Sequence, residues 1–486
     1  MSPTRAHTQT PGPLQTPSQT GESLEARVER LEVLLNKVIE RLDRPGATLT
    51  PDETQTVQEA RGAVARAAAN TGGTNTAGAG AARTAKVASG QQADTKATAE
   101  GSSGALRIET LDKRQEQGFR VGGSTIRIGG YFKSDAVAST YSDGDPAPGA
   151  AIRNYYSPGG IPVAGTNFAG RTAREGLQTT FSARETRFSI QTETPVGDKR
   201  VLGVLELDFL DTPLIGNERI SNSFVPRIRQ AHLTYGRLTF GQTWTTFQNV
   251  AALPEHVDFI GPTEGTIFVR QPLIRYTDGD FQIALENPET TVQQGSTSLE
   301  ADDDRMPDVV VRYNAQGDWG SAAVAAIGRY LNYDAGVVDG VKDSAIGYGV
   351  SLSGVLKAGK TDNFNFMISG GKGIGRYVGL NIRDDVVVDA DRRLDTIGVI
   401  AGFASFRHFW NARLRSVLTG SYYRAFNPAS AGLLVTNNVG SVSLDTFFSP
   451  IKPLTFGLGY RHGRRELEND QAGDLDRLQF SAQYNF

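Results

Sequence analysis

Leu478-Gln479-Phe480-Ser481-Ala482-Gln483-Tyr484-Asn485-Phe486 closes the chain. Apolar and polar residues alternate in it with a period of two, the pattern of a strand with one apolar face. The same texture runs upstream. In Leu454–Arg461, Leu454, Phe456, Leu458 and Tyr460 oppose Thr455, Gly457, Gly459 and Arg461. In Leu414–Tyr423, Leu414, Ser416, Leu418, Gly420 and Tyr422 oppose Arg413, Arg415, Thr419 and Ser421. Val201–Phe209 and Thr125–Ala138 divide in the same way, and none of these apolar faces carries a charge. Alternation alone does not name the solvent, because soluble sandwiches alternate too.

Segment count and loop rhythm decide. Sixteen segments alternate, from 125–138 to 474–486. Seven connections are short: 194–199, 236, 278, 315–317, 359–360, 409–410 and 450–452. The connections between them are mostly long, as at 139–179, 246–266, 288–306 and 375–393. An even strand count with short turns at one end and long loops at the other predicts an all-β fold. It is a 16-stranded antiparallel transmembrane β-barrel over 124–486. Phe132, Tyr235, Phe240, Trp319, Phe403 and Tyr460 near strand ends suit interfacial girdles. The terminal stretch resembles the assembly signal of bacterial outer-membrane barrels, through Phe480, Tyr484 and Phe486.

Composition agrees. The 486 residues include no Cys and carry a formal net charge of -3. That excludes a disulfide framework, a thiol nucleophile and a basic nucleic-acid protein. His7, His232, His256, His408 and His462 are scattered, and none forms a helical metal pair. No cofactor and no metal is expected. No apolar run of 18 residues exists, so no transmembrane helix is expected. Arg far outnumbers Lys. That suits carboxylate or phosphate recognition, and a GC-rich genome would also produce it.

The first 123 residues read differently. Residues 1–23 are rich in Pro, Thr and Gln and should be disordered. Leu24, Val28, Leu31, Leu35, Val38 and Leu42 form a heptad seam, predicting a trimerising coiled coil over 24–44. Arg27 to Glu32 matches the short trimerisation motif. Thr50-Pro51-Asp52-Glu53 is a capping box opening a second helix within 45–69. Residues 70–123 are a flexible linker and a polar lead-in. Export to an outer membrane needs a signal peptide, and residues 1–23 contain no apolar core for one. A late start or a mature form is the expected reason.

Two motifs compete for attention. Gly354-Val355-Leu356-Lys357-Ala358-Gly359-Lys360-Thr361 matches the P-loop pattern. That chemistry needs a helix after Thr361, whereas Asp362–Ser369 alternates like a strand, so a hairpin turn is expected. Asp302-Asp303-Asp304 is read as a solvated acidic loop rather than a cation site.

Strand parity points Arg127, Lys133, Arg187, Arg270, Arg312, Arg413, Arg415 and Arg461 into the lumen. Parity is ambiguous for Arg184, Arg227, Arg229 and Arg275. By similarity with general porins, the loop after strand five, here 246–266, folds inward and narrows the channel. Its acids Glu255, Asp258 and Glu264 would face the basic wall. Opposed charges across a constriction orient dipoles and concentrate anions. Phe240-Gly241-Gln242-Thr243-Trp244-Thr245-Thr246-Phe247 and Phe268-Val269-Arg270-Gln271-Pro272-Leu273-Ile274-Arg275-Tyr276-Thr277 resemble the DcaP-like family of trimeric outer-membrane porins. Ser182-Ala183-Arg184-Glu185-Thr186-Arg187-Phe188 adds to the resemblance. It implies a homotrimer with a periplasmic coiled coil and a channel for small, often anionic or dicarboxylate, solutes.

The expectation is therefore a passive porin and not an enzyme, with its N-terminal region in the periplasm. Its expected partners are its own copies, outer-membrane lipid and lipopolysaccharide, the barrel assembly machinery, small anionic solutes and peptidoglycan. Nucleic acid is not among them. The rival reading makes the barrel an anchor for a coiled-coil tether. A barrel enzyme would need an outward Ser/His or Asp/His set, and His232 and His462 have no clear partners in sequence.

Overall fold

A computed structural model describes residues 118–486, apart from 148, 165–175, 211–215, 218–220 and 337–339. The coiled coil expected at 24–44, the helix at 45–69 and the linker up to 117 lie outside the described residues. The lead-in ends in a small hairpin, with Phe119–Val121 paired to Ser124–Ile126.

Sixteen antiparallel strands then follow in chain order. They are β1 (Ser124–Tyr141), β2 (Arg187–Val196, with an outer piece at Gln178–Ser182), β3 (Lys199–Asp208) and β4 (Arg227–Tyr235). Next come β5 (Leu238–Trp244), β6 (Arg270–Asp278), β7 (Phe281–Glu286) and β8 (Asp308–Gly317). After them run β9 (Gly320–Asp334), β10 (Lys342–Ala358), β11 (Asp362–Lys372) and β12 (Gly398–Phe409). The last are β13 (Leu414–Phe426), β14 (Thr436–Ile451), β15 (Leu454–Leu467) and β16 (Ala472–Asn485). Each pairs with its neighbour, and β16 returns to β1 through Leu475–Asn485 against Tyr131–Tyr141. The sheet is closed and has no edge, as a lipid-embedded sheet requires.

The short turns use left-handed glycine where two residues must reverse the chain. Gly236 (φ 59°) and Gly279 (φ 58°) are two of these. The Gly354–Thr361 run is the end of β10 and its turn into antiparallel β11, with no helix after it.

Alternation sorts the side chains as a membrane barrel does. On β16, Leu478 and Phe480 are half exposed on the outside, while Arg477, Gln479 and Ser481 are buried inside. Two local irregularities break the simple parity. β2 is interrupted at 183–186. β3 and β4 slip between Glu206 and Leu207, which leaves Arg229 as the extra residue of a bulge.

The lumen contains a hydrophobic core. Phe247 and Leu253 of the loop after β5 pack with Ile374 and Tyr377 of the loop after β11, against Met367, Val399 and Phe403 of the wall. Phe403 was expected in an outer girdle, but it points inward and is buried. Each such side chain withdrawn from water contributes about 1.5–3 kcal/mol to docking the loops. At the long-loop end, Thr297–Ala301, Thr290–Gln294, Val386–Val388 and Leu394–Thr396 form a separate four-stranded sheet. It joins the loops after β7 and β11 through Val292 and Val386.

Candidate functional site: the inner wall

The loop after β5 is bound to the wall by polar side chains from many strands. Arg415 of β13 grips Glu255 with two nitrogens, Nε donating to Oε2 at 2.7 Å, and its Nη1 reaches Ser449 at 3.0 Å. Arg407 stands 3.9 Å from the same carboxylate. His256 Nδ1 meets Asp445 of β14 at 2.7 Å. The carbonyl of Val257 accepts from Lys133 Nζ at 2.8 Å and from Gln479 at 3.3 Å. Arg312 donates to the carbonyl of Gln248 at 2.8 Å, and Asn365 to that of Ala252 at 3.1 Å. Gly265 allows the closest approach, since a Cβ there would lie 2.3 Å from the carbonyl oxygen of Gly402.

The three loop acids have different partners. Glu255 holds the Arg415 pair. Asp258 accepts from the backbone of Tyr156 at 2.8 Å and of Gly261 at 3.2 Å. Burial pushes the Asp258 carboxyl up, but Arg461, Arg477 and those two N–H groups outweigh it and hold the group below the usual carboxylate range. Glu264 is fully buried and accepts from the Tyr156 hydroxyl at 3.4 Å rather than from a wall cation.

The basic wall residues also divide. Arg127 pairs with Glu193 at 3.2 Å, near the short-turn end. Lys133 pairs with Asp135 at 3.2 Å and with Glu185. Arg461 donates to Ser441 at 2.9 Å and lies 4.3 Å over the Tyr156 ring. Arg413 was expected on the wall, but β13 begins at Leu414, so Arg413 lies in the exposed turn before it.

A second cluster occupies β2 to β6. Arg229 donates to Glu206 and to Asp208, each at 2.7 Å. Arg227 donates to Asp208 at 2.6 Å, and Arg187 stands 3.9 Å from Glu206. Arg270 completes the group, 5.2 Å over Trp244 and 5.5 Å over Phe268. It has no carboxylate within ion-pair distance among the described residues. Three guanidiniums therefore share two carboxylates, Glu206 and Asp208, and the fourth, Arg270, pairs with neither. Phe259, at the tip of the inward loop, lies 5.8 Å from Arg227 and 5.4 Å from Arg229. Sequence parity is ambiguous for Arg227 and Arg229, and the bulge at Arg229 turns both inward.

Further inward residues had no signal in the sequence. Arg329 binds Asp308 at 3.0 Å and Asp385 at 2.7 Å. Tyr377 donates to the same Asp308 at 2.7 Å and accepts from Gln271 at 2.8 Å. This network ties the loop after β11 to the wall. No group of three or more His, Cys, Asp or Glu that could hold a metal ion occurs among the described residues.

A closed, even-stranded barrel with an apolar outside, a charged inside and loops docked on its inner wall defines an outer-membrane channel. The chain belongs to the DcaP outer membrane protein family, whose model matches residues 149–486. It is a non-enzymatic outer-membrane porin. Its fold is similar to the crystal structure of the outer membrane channel DcaP of Acinetobacter baumannii, at 21% identity and TM-score 0.61, covering 76% of this chain and 100% of that one. The anion-selective porin from Comamonas acidovorans gives 12% identity and TM-score 0.47, covering 75% and 100%. In-vitro folded OmpT of Vibrio cholerae gives 11% and 0.45, covering 76% and 99%. No curated protein sequence matches the chain significantly.

Proposed function

We propose that the porin passes small hydrophilic anions, dicarboxylates among them, by passive diffusion, and that it works as a homotrimer. The observation that carries the reading is the surplus of cations on β2 to β6: Arg187, Arg227, Arg229 and Arg270 against Glu206 and Asp208. In a narrow water-filled channel with low-dielectric walls an unneutralised guanidinium attracts anions more strongly than it would in bulk water. Arg270 is the residue best able to take a carboxylate from solution, because no protein carboxylate competes for it. The loop 246–266 is the constriction in this reading, with Phe259 beside Arg227 and Arg229.

Strand length supports self-association. β5 has 7 residues and β7 has 6, against 17 in β10 and 16 in β14. A tilted transmembrane strand needs about 9–11 residues to cross the hydrocarbon, so the low part of the wall is best covered by another copy. The heptad seam at Leu24 to Leu42 would place three N-terminal helices together in the periplasm, within reach of peptidoglycan. Phe480, Tyr484 and Phe486 would serve the assembly machinery, with Phe486 seated 5.0 Å from Phe132.

The test is swelling of liposomes that contain the refolded full chain. Faster entry of a dicarboxylate than of a neutral sugar of equal size supports the reading. Equal or slower entry overturns the anion preference, and no swelling of either moves the function to a tether.

A further inference from the structure

The outer side of the barrel carries a second polar cluster that the pore does not use. A groove of about 480 Å³ lies at the long-loop end, lined in part by Lys372, Arg424, Phe426, Asn437 and Glu468. Lys372, Arg424 and Phe426 lie on the outward faces of β11 and β13, in line with the lipid-facing Ile368, Leu418 and Tyr422. Gly398 forms the floor, where a Cβ would stand only 3.2 Å from that of Phe426. The Arg424 guanidinium rests 5.7 Å over the Phe426 ring.

Two other cations on the outward strand faces at this end are paired. Arg464 binds Asp474 at 3.1 Å and Lys342 binds Asp334 at 2.5 Å. Lys372 and Arg424 have no ion pair among the described residues. Of the two carboxylates in the lining, Glu468 is occupied by the amides of Asn427 at 2.7 Å and Asn437 at 3.0 Å. The other, Asp395, lies on the loop strand Leu394–Thr396. The loop from β13 to β14, whose Asn427 and Pro428 line the groove, exposes Leu433 and Leu434, at 67% and 53%. Two unpaired cations above an apolar wall, with two exposed leucines on a loop that lines the groove, make the combination that holds an anionic lipid at an interface.

We propose that this rim is a binding site for the phosphorylated headgroup of an outer-leaflet glycolipid. Lys372 and Arg424 take the phosphate. Leu433 and Leu434 lay apolar surface against the lipid beside it. The site rests on outer-membrane residence alone and is independent of which solute the pore carries.

Native mass spectrometry of the refolded full chain in detergent tests this, with lipopolysaccharide and inorganic pyrophosphate as separate probes. The double variant Lys372→Glu/Arg424→Glu should bind lipopolysaccharide at least tenfold more weakly than the parent. Leu433→Ser/Leu434→Ser should also weaken it, by a smaller factor, and leave pyrophosphate binding unchanged. Unaltered bilayer conductance in both variants shows that the barrel is intact. Lipopolysaccharide retained by the charge-reversed chain as by the parent overturns the site. Displacement of lipopolysaccharide by equimolar pyrophosphate overturns the lipid assignment in favour of a free phosphate site.

Discussion

The inner face of β2 to β6 and the inner face of β8 to β16 are built by the same alternation but filled differently. On the first, arginines meet two carboxylates and the tip of one loop. On the second, loops dock onto the wall, burying Met367, Val399 and Phe403 under Phe247, Leu253 and Tyr377. Parity therefore assigns a residue to the lumen without saying whether it will meet water or a packed loop. The surface left for solute is set by which sector the loops leave uncovered.

Four substitutions and one titration break or sharpen that contrast. The largest effect should come from Glu255→Ala. It strips Arg415 of a buried bidentate partner, and breaking such a pair costs about 3–5 kcal/mol. The loop should loosen, and single-channel conductance should rise severalfold with added noise. Gly265→Val comes next. Its Cβ would collide with the Gly402 carbonyl oxygen at 2.3 Å. Overpacking of this kind costs about 1–3 kcal/mol, and it should show as a lower melting temperature together with altered conductance. Arg270→Glu removes the surplus of two positive charges from the cluster of Arg187, Arg227, Arg229 and Arg270 with Glu206 and Asp208, and should bring the anion-to-cation permeability ratio close to one, with the melting temperature little changed. A pH series should have little effect until strongly acid conditions. The Asp258 carboxyl is held below its ordinary value of 3.8, so its contribution to loop docking is complete above that value. It is lost only as pH falls further, through the lowered value. Conductance should be flat from about pH 8 to 5 if this group governs docking. Arg413→Glu should leave selectivity unchanged, because the side chain lies in an exposed turn.

The barrel was legible in the sequence because lipid outside and polar lumen inside impose a period of two on every strand. All sixteen expected segments overlap the observed strands. The resemblance carried by 182–188, 240–247 and 268–277 named the right family. Less of the site was legible. Arg227 and Arg229 both point inward only because of the bulge between β3 and β4, and nothing in the local alternation marks an extra residue. Phe403 looked like a girdle aromatic because an inward aromatic makes sense only once a loop covers it. Glu255 found a cationic partner as the opposed-charge argument expected, whereas Glu264 found the Tyr156 hydroxyl, supplied by a loop with no distinctive sequence. The Arg329–Asp308–Asp385 network joins residues far apart in the chain, and no short motif announces it.

The most direct measurement is the reversal potential of the full-length protein in a planar bilayer under a salt gradient, beside the Arg270→Glu variant. The account predicts an anion-favouring potential for the parent that shrinks toward zero in the variant. A cation-favouring parent, or a potential that Arg270→Glu does not move, would contradict the claim that the arginines of β2 to β6 set the selectivity.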